Sequence, residues 1–421
     1  MDYISSKNIS QLMIQILRIM NPRILSHEMK VAYFLSRMLE KKGGFEKYEI
    51  AELALLALFH DVGALQTDAE KDILHFEFKE PLPHSIGGYL FLKYASPFGE
   101  RSKALLYHHT DWSFLSRINF SYKTFTAFLN LAEKIVIYSK ALGDKFDPTT
   151  FEKYRNTKFS AESLDTAYAV IKTEPILANF RDDLYLQEIE QVFSYLIFTN
   201  EEKVKYVEFL LYLTGLNRAQ LVMDTVSTMC ICNEVADRMG LIKTETEYLH
   251  YAALLHDLGM ISVPDEILMA PRKLNQVEVG QVRKHMLVLE DLIQDKFVKE
   301  IVTIAMSHHE RMDGSGYPKG IREFEMNRLE KILQVADTVT SLTSFRPYRD
   351  TKTKEQVLFI LKEEVERKRY SRDVVDIISI FYDDIINSVK QKQEEVSDVM
   401  DIIRHQFEVV LEKFGVNGNQ E

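Results

Sequence analysis

Nine of the twelve histidines in this 421-residue chain fall into two matching series, and each series holds the side chains that a hydrolytic metal centre needs. In the second half Asp224 is followed by the doublet His256-Asp257, then His285, the pair His308-His309, and Asp337. In the first half the order is His27, His60-Asp61, His84, His108-His109 and Glu133. A lone histidine on a helix is more often a core or surface residue than a ligand. A His-Asp doublet joined by a further histidine, a His-His pair and a distal carboxylate points to a metal site. Cutting a phosphodiester at neutral pH requires an activated water and neutralisation of developing negative charge. Two cations about 4 Å apart supply both, with a carboxylate such as Asp257 able to bridge them and imidazoles filling the remaining positions. A set of imidazoles and carboxylates without thiolate suits iron, manganese, nickel or catalytic zinc better than a structural zinc cage.

The landmarks must be positioned by helices. Apolar residues recur three and four apart in Ile9–Met20, Met29–Leu39, Ile50–Phe59, Phe125–Tyr138, Val226–Met239 and Thr246–Leu255, and alternating strand patterns are almost absent. Glycine and proline fall mostly between these segments, where helices should stop. Successive landmarks lie 33, 24, 24 and 24 residues apart in the first half and 32, 29, 23 and 28 apart in the second. Five landmarks in one order at similar gaps indicate two diverged copies of one helical domain. The expected architecture is all-α, with tandem helical bundles spanning residues 1–200 and 201–421 and a helical connection between them. If His256 and Asp257 share a helix, their side chains differ in direction by about 100° and reach one cluster from two sides. The stretch from Ser388 to Phe414 reads as another charged amphipathic helix.

Composition narrows the class. A hydrophobic fraction of 46% and a charged fraction of 27% are ordinary for a soluble globular protein. The net charge of −11 supplies no overall field for long nucleic acid, although a local arginine pair or a bound cation can still hold a small anion. The only cysteines, Cys230 and Cys232, lie two apart in an apolar helical run, where they do not share a face and read as buried reduced thiols. So few cysteines suit a reducing compartment. No secretory leader is expected at Met1–Met20, and runs such as Leu53–Phe59 are too short to cross a bilayer, so a cytoplasmic protein without a membrane span is expected.

The His-Asp doublet with dispersed histidines resembles the HD phosphohydrolase superfamily. The run HHERMDGSGYPKG at His308–Gly320 resembles the defining motif of its HD-GYP branch, with Gly316-Tyr317-Pro318 as the name-giving triplet. HDLGMISVPDEIL at His256–Leu268 and VADTVTSLTSFRPYRD at Val335–Asp350 look like the flanking blocks. The resemblance is specific over about Asn217–Ile380 and extends to about Ile9–Tyr138 through the metal motifs alone. It implies tandem HD-type domains, the second an HD-GYP domain that hydrolyses a cyclic dinucleotide, with cyclic di-GMP the default substrate and 3'3'-cyclic GMP-AMP the alternative. By the same resemblance the metal ligands are Asp224, His256, Asp257, His285, His308, His309 and Asp337, with His256 and Asp257 central to catalysis and two iron or manganese ions bound. Gly316, Tyr317 and Pro318 match the loop beside the substrate, and Arg346 and Arg349 match the family's phosphate-holding residues. Arginines three apart on a helix can face one way and give forked, charge-assisted hydrogen bonds.

Three departures stand out. Asp224 replaces the family's first histidine, Gln220 replaces a glutamate that some members use for a third metal, and Met260 replaces the lysine of the HDxGK block. The Gln220 change argues for two metals rather than three, and methionine cannot neutralise phosphate charge. The N-terminal copy shows the converse: His27, His60, Asp61, His84, His108, His109 and Glu133 form a second candidate metal site. Its His-His pair, however, is followed by TDWSFL, with no GYP triplet and no later arginine pair, and Ala64 stands in the lysine position. The expected arrangement is therefore catalysis in the C-terminal copy and a regulatory or structural role for the N-terminal one. The rival readings are a catalytically impaired receptor for the cyclic dinucleotide or a protein-interaction scaffold, and a phosphohydrolase acting on monomeric nucleotides. Expected partners are the cyclic dinucleotide, proteins of second-messenger signalling and a second copy of the chain as a homodimer.

Overall fold

The protein is described by a computed structural model covering residues 3–66, 81–216, 218–345 and 350–414. Among these residues no β-strand forms, and pairing is limited to isolated bridges such as Asp313 with Arg322. The architecture is all-α, as the periodicity predicts. The chain forms two compact units: Ser6–Phe209 with Val399–Glu421, and Leu210–Asp398 with Met1–Ser5.

In the first unit the landmark helices are α1 (Pro22–Lys42), α2 (Lys47–Ala57), α3 (Pro81–Ala95), α4 (Lys103–Leu106) and α5 (Lys123–Leu142). Local chemistry sets their ends. Asn21 caps α1 by accepting from the N–H groups of Arg23 and Ile24 at 3.1 Å, with Pro22 occupying the first turn, where no donor is needed. Gly43, at φ 75°, ends α1. Tyr33 and Phe34 on α1 and Phe128 on α5 are fully buried, so both long helices are fixed by apolar contacts as well as by their termini. Each such side chain contributes about 1.5–3 kcal/mol on burial.

In the second unit the corresponding helices are α6 (Ala219–Arg238), α7 (Lys243–Leu255), α8 (His285–Ile293), α9 (Lys299–Met306) and α10 (Arg328–Thr343). A capping box starts α10: Asn327 accepts from the N–H of Glu330 and the Glu330 carboxylate accepts from the N–H of Asn327. Cys232 is buried and Cys230 half-buried on α6, and both are free thiols.

The last helix, α11 (Tyr382–Lys413), is longer than the Ser388–Phe414 segment suggests. Its final turns belong to the first unit, where Ile403, Phe407, Val410 and Leu411 pack on buried Ile86, Tyr89, Leu90 and Leu106. No described helix is long and apolar enough to cross a membrane.

Candidate metal centres

Each unit gathers its landmark residues into one cluster. In the second unit the possible ligand atoms of Asp257, His285, His308 and His309 lie within 4.8 Å of one another, as do those of His256, Asp257 and Asp337. Asp257 belongs to both sets and divides its oxygens between them. Its Oδ1 lies 3.8 Å from His285 Nε2 and 3.7 Å from His308 Nε2, while its Oδ2 lies 3.6 Å from His256 Nε2. Asp337 closes the second set from α10, 3.9 Å from His256 Nε2 and 3.6 Å from His309 Nδ1.

The same arrangement recurs in the first unit. Asp61 Oδ1 lies 3.5 Å from His84 Nε2 and 3.6 Å from His108 Nε2, and Asp61 Oδ2 lies 3.5 Å from His60 Nε2. The sets are Asp61, His84, His108 and His109 on one side and His27, His60 and Asp61 on the other.

Hydrogen bonds aim the rings. His256, His285 and His308 each donate Nδ1–H to the carbonyl three residues back, at 2.7, 2.6 and 2.7 Å, which leaves Nε2 facing Asp257. His60 and His108 are held in the same way by Ala57 and Leu105. Anchoring one ring nitrogen on a carbonyl fixes the tautomer that a metal requires. Burial pushes His308 well below the usual imidazole range, helped by the neighbouring histidines, and brings His27 and His84 down to about 4. Neutral imidazoles keep the lone pair that binds a cation. Asp61 is buried, which pushes its carboxyl up, yet His60, His108 and His84 hold it well below the usual carboxylate range. His60 Nε2, Asp61 Oδ1 and His108 Nε2 are buried and have no hydrogen-bond partner; His108 faces Oδ1 of Asp61 and His60 faces Oδ2. Leaving such atoms unsatisfied costs about 1–3 kcal/mol each, and divalent cations held by the two ligand sets would satisfy them. The residues present therefore fit a metal in both copies.

The structure departs from the sequence expectations in several places. The doublet does not lie within a helix. His256 is the C-cap of α7, and Asp257, at φ −106° and ψ 9°, opens the 3₁₀ turn Leu258–Ser262. The break comes from close packing: a Cβ on Gly259 would lie 2.0 Å from the carbonyl oxygen of His285, and one on Gly63 would lie 2.2 Å from that of His84. Only glycine lets the turn after the doublet press against the helix carrying the next ligand. Asp224 is buried but falls in neither ligand set; its Oδ1 accepts from Gln220 Nε2 at 2.7 Å. Burial raises Asp337 to about 6, with Asp257 and Asp224 adding to the push and His256 opposing it. Glu133 also falls in neither set. Its Oε1 accepts from Lys134 Nζ at 3.0 Å, and Lys134 also donates to His109 Nδ1 at 3.3 Å. Arg346 and Arg349 lie outside the described residues.

The GYP segment forms a closed loop beside the C-terminal cluster. Tyr317 donates its N–H to the His309 carbonyl at 3.1 Å, and its ring stands 4.7 Å from the His309 ring. The Tyr317–Pro318 peptide is cis. A Cβ on Gly316 would lie 2.4 Å from the backbone of Glu310 and Arg311, so this glycine serves the loop's own closure. Glu310, 1% exposed, closes the loop through its carboxylate, which accepts the N–H groups of Lys319, Gly320 and Ile321 at 2.7, 3.2 and 3.1 Å. Gln334 Nε2 donates to the Glu310 carbonyl, and Asn130 Nδ2 donates likewise to that of Thr110 in the other unit, so the repeat persists behind the ligands.

Sequence reasoning passed over Glu310, which its place inside the motif could have flagged. It also passed over Arg283, whose guanidinium stands 4.7 Å over the Tyr317 ring, and Arg311, close enough to help hold the Asp337 carboxyl down. Glu28 was missed as well: it is buried against His60 in the first unit, where the second has Thr225.

Residues 213–374 match the family model described as HD domain. The chain is 27% identical over 357 residues to the 3'3'-cGAMP-specific phosphodiesterase 1 of Vibrio cholerae serotype O1, covering 77% of this chain and 79% of that protein. A match of that span takes in part of the N-terminal copy. The chain is 37% identical over 130 residues to the cyclic di-GMP phosphodiesterase response regulator RpfG of Xanthomonas campestris pv. campestris, but covers only 34% of it. Among solved structures, a cyclic GMP-AMP specific phosphodiesterase of V. cholerae (V-cGAP3) superposes with a TM-score of 0.53 at 13% identity, over 89% of this chain and 97% of that one, a likeness of fold.

Proposed function

We propose that this chain, whose residues 213–374 form an HD domain, hydrolyses a cyclic dinucleotide in its C-terminal unit. The observation that carries this reading is the division of Asp257 between two histidine sets beside the closed GYP loop. Two divalent ions held by those sets, iron or manganese by their nitrogen and oxygen donors, would supply a nucleophilic water at neutral pH and neutralise charge on the phosphate. Hydrolysis joins the water oxygen to phosphorus, breaks one P–O ester bond and delivers the water proton to the leaving oxygen.

The protein's own groups bind and orient. His256, His285 and His308 present Nε2 from carbonyl-anchored rings, so the cluster needs little rearrangement on loading. Arg283 and Arg311 flank Tyr317 and offer positive charge where Met260 offers none. Arg346 and Arg349 complete the phosphate grip in this reading. Of the two substrates, the Vibrio relative matched over 357 residues favours 3'3'-cyclic GMP-AMP, and RpfG favours cyclic di-GMP. The N-terminal copy holds metal ligands without a GYP loop and supports the enzyme by regulation or structure.

The test is turnover of both cyclic dinucleotides by protein loaded anaerobically with iron or manganese, with bound metal counted. Asp257→Ala removes a ligand common to both C-terminal sets and is expected to lower kcat by a thousandfold or more, while Asp61→Ala leaves it within a few-fold. Fully metallated protein that cleaves neither substrate would leave the receptor reading in its place.

A further inference from the structure

The first unit contains a cavity of about 480 Å³ that the reaction proposed above does not use. Its lining comes from α1, α5 and the helix Ile176–Arg181. His27, a member of one N-terminal ligand set, stands on its wall. Apolar surface comes from Val136, Phe146, Leu177 and Phe180, and a hydroxyl from Ser139. The volume lies within the range of small-molecule sites and far exceeds the space of a single ion.

Charge decides what the cavity would take. Arg181 is already paired with Asp144 at the rim. Lys30 and Lys140 also line the cavity, and among the described residues neither forms an ion pair. Lys30 is half-buried, with its ammonium 5.1 Å over the Tyr185 ring. Asp183 is the one further carboxylate on the lining. Two ammonium groups on one partly open cavity, Lys30 half-buried and Lys140 exposed, repel each other and gain from an anion between them.

The repeat shows that this pair is not inherited packing. Counted from the landmarks, Lys30 corresponds to Ser227 and Lys140 to Ser344. Ser227 Oγ accepts from Gln393 Nε2 at 2.8 Å, and Ser344 is buried. The second unit thus places small serine side chains where the first presents cations to a cavity.

We infer that the N-terminal unit binds a small phosphate-bearing molecule of mononucleotide size in this cavity, with Lys30 and Lys140 holding the phosphate, the flat apolar part against Phe180 and Phe146, and His27 bringing the N-terminal metal centre to the same wall. This binding is independent of cleavage in the C-terminal unit.

The experiment is calorimetric titration of the full-length Asp257→Ala protein with AMP and GMP, and with adenosine as the phosphate-free control. At least one nucleotide is expected to bind tenfold or more tightly than adenosine. The double variant Lys30→Gln/Lys140→Gln should lose tenfold or more of that affinity, and Lys30→Arg/Lys140→Arg should retain it, with melting temperature and bound metal unchanged in both. No saturable binding of either nucleotide, or binding indifferent to both lysines, overturns the inference. Cyclic-dinucleotide turnover by protein with Asp257 intact is read separately, so failure of one reading does not mimic failure of the other.

Discussion

The Glu310 carboxylate accepts the backbone N–H of Lys319 at 2.7 Å, and with two further N–H bonds it ties the far end of the GYP loop back to the residue that follows the His-His pair. One buried charge thereby sets the position of Tyr317 over His309. Glu310→Gln keeps the shape but replaces charge-assisted bonds with neutral ones and turns an N–H donor toward N–H groups. Stability should fall by about 1–3 kcal/mol, lowering Tm by several degrees, and kcat/KM should drop more than tenfold while bound metal stays constant. A melting curve, a metal count and a turnover assay check all three.

Gly259 presses on the carbonyl of His285, leaving 2.0 Å where a Cβ would go. The obstacle is backbone, which cannot swing aside. Gly259→Ala should therefore separate the doublet turn from α8, cost roughly 3 kcal/mol or more, and release metal from the C-terminal centre. Denaturant melts and metal analysis of the purified variant are the check; wild-type stability with full metal content would refute the packing argument.

Lys134 donates to Glu133, the expected distal carboxylate, and to His109, a member of one N-terminal ligand set. An ammonium there both repels a metal ion and occupies its ligands. Lys134→Met should raise N-terminal metal affinity by tenfold or more, read by titrating manganese into the chelator-treated Asp257→Ala protein. An unchanged affinity would show that Glu133 and His109 can release Lys134 at no cost.

Burial raises the Cys230 thiol to about 11, with Glu234 adding to the shift, and pushes Cys232 well above its usual range. At pH 8 only about one Cys230 in a thousand is then the reactive thiolate. The folded protein should react with a disulfide reagent at least a hundredfold more slowly than the denatured chain, and faster as pH rises toward 11.

Much of the centre was legible in the residues alone. Two series of His and Asp at matching gaps required two copies of one helical unit, because ligands so far apart in sequence can meet only if the helices carrying them pack in the same order. Periodicity was sufficient to find α1, α5 and α6, since each buries a continuous apolar stripe. It did not locate the doublet, which the structure sets at the end of a helix rather than inside one. Helical spacing continues smoothly through Leu55–Val62, and the break arises from a close pass of Gly63 over α3 that has no local signature beyond the glycine itself.

The sequence by itself determined which side chains are available: imidazoles and carboxylates in duplicate, a GYP loop in one copy only, and no lysine after either doublet. Tertiary structure alone decided how they are used. It divides Asp257 and Asp61 between two ligand sets, turns Asp224 toward Gln220 and Glu133 toward Lys134, and leaves Lys30 and Lys140 facing one cavity. These outcomes depend on distances between helices remote in sequence, and a charge chooses its partner only after packing has determined which opposite charge is near.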